Sequence, residues 1–211
     1  MAVIAMFAAL AYVSVVISKV IPNVAGFLSY EPKDAIIVIV GFLMGPLSGV
    51  ILSVLVSFIE MITISTTGFY GFLMNVIATC AFVLPATLVY KKKRTKTGAL
   101  IGLLLGVVSM TACMLLWNYI ITPLYMKVDR SQVVGMLIPV FLPFNLIKGG
   151  INAGITLLIY KPIVTALRSA RLVEPSTEST GKAKFSIGFF LISIAILVTF
   201  VLAFLAMIEV I

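Results

Sequence analysis

Histidine is absent from the 211 residues, and only 10% of them carry charge. The first absence removes the commonest general base and a favoured transition-metal ligand. The second excludes an ordinary soluble domain, in which about a quarter of residues are charged. Cysteine is almost as scarce: Cys80 and Cys113 each lie inside an apolar run and read as small buried residues, not as a disulfide framework. No Gly-x-x-x-x-Gly-Lys-Ser/Thr stretch occurs, so the chain cannot supply ATP hydrolysis itself. Nor is there a Gly-x-Ser-x-Gly elbow or, within the apolar runs, a pair of carboxylates at helical spacing, which argues against an enzyme. What remains is 62% apolar and arranged in long runs, the composition of an all-α, polytopic membrane protein. The net charge of +8 does not call for nucleic acid, because the basic residues collect in loops between apolar runs, as the positive-inside rule describes.

Met1 to Ser18 is apolar and uncharged. It has the look of a signal peptide but lacks a basic n-region and a cleavage site, so it reads as a first span that stays. Ala5 and Ala9 form a small-xxx-small pair that permits close approach of another helix, although spacing alone favours ordinary packing within the chain. Residues 19–34 form a loop broken by Pro22, Gly26 and Pro32, with Asp34 expected as the N-cap of the next helix. Ala35 to Ser65 as one helix would be roughly 46 Å long, against a bilayer core near 30 Å. Gly45-Pro46 splits it into a short span ending at Met44 and a fuller one from Leu47 to Ile64. Thr66 to Gly71 reads as a turn, Phe72 to Tyr90 as a span, and Lys91-Lys92-Lys93-Arg94-Thr95-Lys96 as a cytoplasmic loop. Ala99 to Ile121 spans back to Trp117-Asn118-Tyr119, and Thr122 to Gln132 is a polar loop. On this parse ten of the fifteen basic residues face the cytoplasm. The expected layout is a six-helix membrane domain over residues 1–167, a polar linker at 168–184 and a seventh helix over 185–211.

The most informative stretch is Pro143-Phe144-Asn145-Leu146-Ile147-Lys148-Gly149-Gly150-Ile151-Asn152, which places an ammonium and two amides in an otherwise apolar run. On a helix Asn145, Lys148 and Asn152 fall at i, i+3 and i+7, on one face. A lysine inside a membrane costs a few kcal/mol and by default marks a cavity or partner; the alternative is that Lys148 snorkels to an interface while Asn145 bonds a neighbouring helix. Toward the outer half of the membrane the parse also gathers Tyr30-Glu31-Pro32-Lys33-Asp34, Asn75, and Trp117-Asn118-Tyr119. Amides among aromatic and aliphatic walls suit a flat, uncharged ligand rich in heteroatoms. An anionic substrate would call for more cations and a metal for more carboxylates.

These segments resemble a known family, the membrane-embedded substrate-binding (S) components of energy-coupling-factor (ECF) vitamin transporters, and within it the riboflavin-specific branch. The resemblance covers about residues 1–165. It rests on Ala5-Met6-Phe7-Ala8-Ala9, on the loop ending Tyr30-Glu31-Pro32-Lys33-Asp34, on Gly41-Phe42-Leu43-Met44-Gly45-Pro46 and on the segment leading to Asn75. The most specific pieces are Asn118-Tyr119-Ile120-Ile121-Thr122-Pro123-Leu124-Tyr125 and Pro143-Phe144-Asn145-Leu146-Ile147-Lys148-Gly149. The resemblance implies a six-helix core with both ends in the cytoplasm and a riboflavin cavity opening outward beneath the loop after the first helix. Asn118, Asn145 and Lys148 then match positions that hydrogen-bond the flavin. Leu28, Ser29 and Tyr30 match the covering loop, and Asn75 lies near the site. Ala5 and Ala9 match the motif that docks on a transmembrane coupling subunit driven by two ATPases. It further implies a multi-pass protein of the bacterial plasma membrane, no resident cofactor or metal, and riboflavin as cargo, with FMN left open. Two features depart from the family pattern: the charged Tyr-Glu-Pro-Lys-Asp loop, and the linker and helix after Arg168.

Three other readings are weighed against this one. An S component for another vitamin remains the runner-up; thiamine would require an acidic partner, for which Glu60 is the available membrane carboxylate. A stand-alone secondary transporter would show paired broken helices in two halves, whereas only Gly45-Pro46 is such a break. An intramembrane enzyme would have to use Glu60, Asp34 and Lys148 as an acid–base set.

Overall fold

The computed structural model describes residues 2–170 and 187–208, and among these the chain is helical and without β-strands. Eight helices follow in order: α1 Ala2–Ser18, α2 Lys33–Met44, α3 Pro46–Thr63, α4 Gly68–Lys92, α5 Lys96–Met126, α6 Arg130–Met136, α7 Leu142–Ser169 and α8 Ile187–Met207. Among the described residues five segments are long and apolar enough to cross a membrane: α3, α4, α5, the α6–α7 run through Leu167, and α8. Helices prevail because lipid offers backbone groups no alternative partners.

The Gly45-Pro46 break is a reversal. Gly45 sits at φ +98°, a conformation open to glycine, and Pro46 starts α3 with its fixed φ and no donor to lose. α2 and α3 therefore run back against each other, and Lys33 at the start of α2 meets Glu60 near the end of α3. This places the loop after α1 and the α3–α4 turn at one end of the bundle. Lys91 to Lys96 falls at the other end, as the two-sided parse requires. At that second end Phe42, Tyr90 and Tyr160 cluster, and the two tyrosine hydroxyls share a hydrogen bond.

Several expected boundaries move. The expected turn at Thr66–Gly71 is shortened, because α4 already begins at Gly68. The expected loop over Thr122–Gln132 is largely helical: α5 continues through Pro123 to Met126 and stops at Lys127, whose φ of +53° ends the helix. Asp34 is not an N-cap. The helix starts two residues earlier, at Lys33 behind Pro32, and no side chain caps it; the Asp34 carboxylate instead accepts a 2.6 Å hydrogen bond from Thr79. α7 runs through Ser169, two residues into the expected 168–184 linker, and most of that linker lies outside the described residues.

The core forms where α1 to α5 and α7 converge, with Val15, Ile37, Leu52, Phe82, Leu103 and Met110 fully buried. Before α7, Leu137–Phe141 widens into a π-helical turn. Pro139 and Pro143 remove two N–H donors there, and such turns arise where the ladder is interrupted. The segment bearing Asn145 and Lys148 begins directly after it.

Candidate ligand-binding site

Asn145, Lys148 and Asn152 are all buried on one face of α7, as their spacing predicts. The structure adds what surrounds Lys148. Its ammonium lies 3.6 Å from Glu31 in the loop after α1 and 3.8 Å from Asp34 at the start of α2. These are ion pairs too long to count as hydrogen bonds, so neither contact spends any of its three N–H donors. Lys33 lies 2.9 Å from Glu31 and 2.5 Å from Glu60, and Lys19 lies 3.6 Å from Glu60. Three carboxylates and three ammoniums thus form one connected network of zero formal charge. Burying an uncompensated ion in an apolar surround would be prohibitive, and the pairing offsets that cost.

Amides and hydroxyls close the network. The Asn75 amide donates to Glu60 at 3.1 Å and to Glu31 at 3.5 Å. The Tyr30 hydroxyl donates to the Asn152 side-chain oxygen at 3.2 Å, and the Asn152 amide donates to the Glu31 carbonyl at 3.2 Å. Burial pushes the Tyr30 phenol up from its ordinary value, with the Asp34 charge adding to the rise. Burial alone would raise the Glu31 carboxyl as well, but Lys33 and Lys148 outweigh it and hold Glu31 below the usual carboxylate range.

Asn118 and Asn145 occupy the facing helices α5 and α7. The Asn145 amide donates to the Phe141 carbonyl at 2.8 Å, and the Asn118 side-chain oxygen accepts from Thr122 at 2.9 Å. Among the described residues the Asn118 amide nitrogen and the neighbouring Trp117 indole N–H are buried without a protein partner. Buried donors left unpaired are costly, and their natural complement is an acceptor on a ligand. Leu28 packs beside Tyr30, Phe144 and Ile147, whereas the Ser29 hydroxyl is spent within the loop on Asn23. Ala5 and Ala9 are exposed on the outer face of α1, while Phe7, Ala8 and Ala11 are buried.

The sequence reading therefore located one polar face but missed most of the charge network. Glu31, Lys33 and Thr79 had no role assigned, and their partners are distant in the chain. Asp34 and Lys148 of the acid–base alternative do meet, but Glu60 joins them only indirectly, by way of Glu31 with Lys33 and Asn75 between.

Residues 1–160 match the family described as ECF transporter, substrate-specific component. The chain belongs to this family. It is the substrate-specific subunit of an ECF-type transporter and a multi-pass protein of the cell membrane. It is 29% identical to the riboflavin transporter FmnP of Bacillus subtilis, over 81% of this chain and 96% of that protein. It is 26% identical to the riboflavin transporter RibU of Staphylococcus aureus, over 78% of this chain and 90% of that one. A solved structure described as the S component of a bacterial ECF transporter superposes with a TM-score of 0.66 at 28% identity, covering 78% of this chain and 95% of that one.

Proposed function

We propose that this S component captures riboflavin from the outside and releases it inward when docked on an ATP-driven coupling module. The observation that carries the reading is its alignment along nearly the whole of two proteins named riboflavin transporters. The site chemistry supports it. Riboflavin has no net charge, and the carboxylates beside Lys148 are already matched one to one by ammoniums. A thiamine-like cation would need a carboxylate to spare, and Glu60 is held by Lys33, Lys19 and Asn75. Flavin carbonyl and ring-nitrogen acceptors suit the donors of Lys148, Asn118 and Asn145, with Asn75 beside them. Leu28, Ser29 and Tyr30 would cover the ligand from the loop.

The partners are a transmembrane coupling subunit, approached through the exposed Ala5 and Ala9 stripe, and two ATPases. The chain's part is binding rather than chemistry, since the charged groups of the site are tied into ion pairs and, among the described residues, form no nucleophile–base arrangement.

Riboflavin fluorescence titrated with the detergent-purified protein tests the reading. Saturable quenching at one site per chain is expected, with thiamine and biotin unable to compete. Absence of quenching, together with a colourless preparation, would remove the riboflavin assignment and leave the family and fold.

A further inference from the structure

The helix α8 has no place in the transport scheme above, and it begins beyond the last residue of the family match at 160. In lipid a helix gains little by burying apolar side chains against protein, so those it does bury mark specific contacts. Among the described residues of α8 only Ser193 and Phe204 are buried, Phe204 to 6% exposure while nearby Leu202 remains 50% exposed. The Ser193 hydroxyl is spent on the Phe189 carbonyl of its own helix.

Phe204 packs against the loop over the candidate site. Its ring lies 5.7 Å from that of Tyr30 at an interplanar angle of 54°, and the same apolar cluster takes in Val24 from the loop and Phe144, Ile147 and Ile151 from α7. Two glycines fix the placement. A Cβ at Gly150 would overlap the Phe200 ring and one at Gly154 would press on Leu197, so α8 lies directly against the α7 backbone. On its polar side Tyr30 donates to Asn152, and the next residue, Glu31, reaches Lys148. The end of the loop is thus gripped between polar contacts from α7 and an aromatic contact from α8.

We propose that Phe204 is a positioning residue for the covering loop, clamping Tyr30 and thereby slowing release of the ligand toward the outside. The proposal takes its ligand from the riboflavin reading. Lifting the loop separates Tyr30 from Asn152 and from Phe204 together, so the clamp acts on dissociation more than on association.

Stopped-flow riboflavin quenching on the full-length protein tests it, alongside hydrogen exchange of residues 22–30 in the ligand-free state. Phe204→Ala should raise the dissociation rate by about tenfold, the scale of one ordinary aromatic contact, with a smaller change in association. Loop exchange should quicken in the same variant. Phe204→Leu, which keeps the apolar bulk and guards against a folding defect, should recover most of the slow release. Leu202→Ala on the lipid face should behave as wild type. Wild-type dissociation with unchanged loop exchange in Phe204→Ala would overturn the clamp, as would loosening spread evenly over α7 and α8. If the wild-type protein does not quench riboflavin, the ligand reading falls, and loop exchange alone decides whether Phe204 holds the loop.

Discussion

The Lys148 ammonium lies 3.6 Å from the Glu31 carboxylate, joining the second turn of α7 to the loop after α1. The residue proposed to meet the ligand is therefore also tied to the segment proposed to cover it, so ligand contact and loop position are coupled through one side chain.

Lys148→Ala and Asn145→Ala should each weaken riboflavin binding by about 1–3 kcal/mol, the cost of leaving a buried partner unpaired. Fluorescence titration measures this. Wild-type affinity in both variants would remove these two residues from the site.

Asn118→Leu separates binding from stability. Among the described residues the amide nitrogen is buried without a protein partner and the oxygen accepts only from Thr122, so the ligand-free protein should lose no more than about 1 kcal/mol of stability, while the melting shift produced by riboflavin should shrink markedly. A large loss of ligand-free stability would show that Asn118 is structural instead.

Lys33 is fully buried between Glu31 and Glu60. Lys33→Met strands two carboxylates and should destabilise the fold by roughly 3–5 kcal/mol. Adding Glu60→Gln should restore part of that loss, which thermal unfolding in detergent can score as a double-mutant cycle.

The pH dependence follows from Glu31, whose carboxyl is held below its ordinary 4.5 in the folded state. A depressed carboxyl contributes stability that is complete above the unfolded value and fades as pH falls toward the lower folded value. Melting temperature should therefore decline below about pH 4.5, and Glu31→Gln should decline less steeply over that window. Parallel curves would mean that Glu31 does not contribute in this way.

Ala5 and Ala9 face outward on α1. Leucine at either position should leave riboflavin binding intact but impair uptake when the coupling module is co-expressed, since close helix approach requires small residues. Undiminished uptake would place the docking surface elsewhere.

The apolar runs and the near absence of charge determined a helical membrane protein by themselves, because lipid leaves the backbone only internal hydrogen bonds. Gly45-Pro46 likewise announced its break locally, through the conformations open to those two residues. The common face of Asn145, Lys148 and Asn152 was legible because helical spacing is a local property. The motifs around Asn118 and Lys148 also carried the family, which the match over residues 1–160 bears out. Only the tertiary structure decided which charges meet. Glu31, Lys33, Asp34, Glu60 and Lys148 come from one loop and three helices, and no spacing rule reaches across them. It also decided where α8 lies: every residue near Phe204 is apolar, and apolar pattern alone does not distinguish a lipid neighbour from the ring of Tyr30.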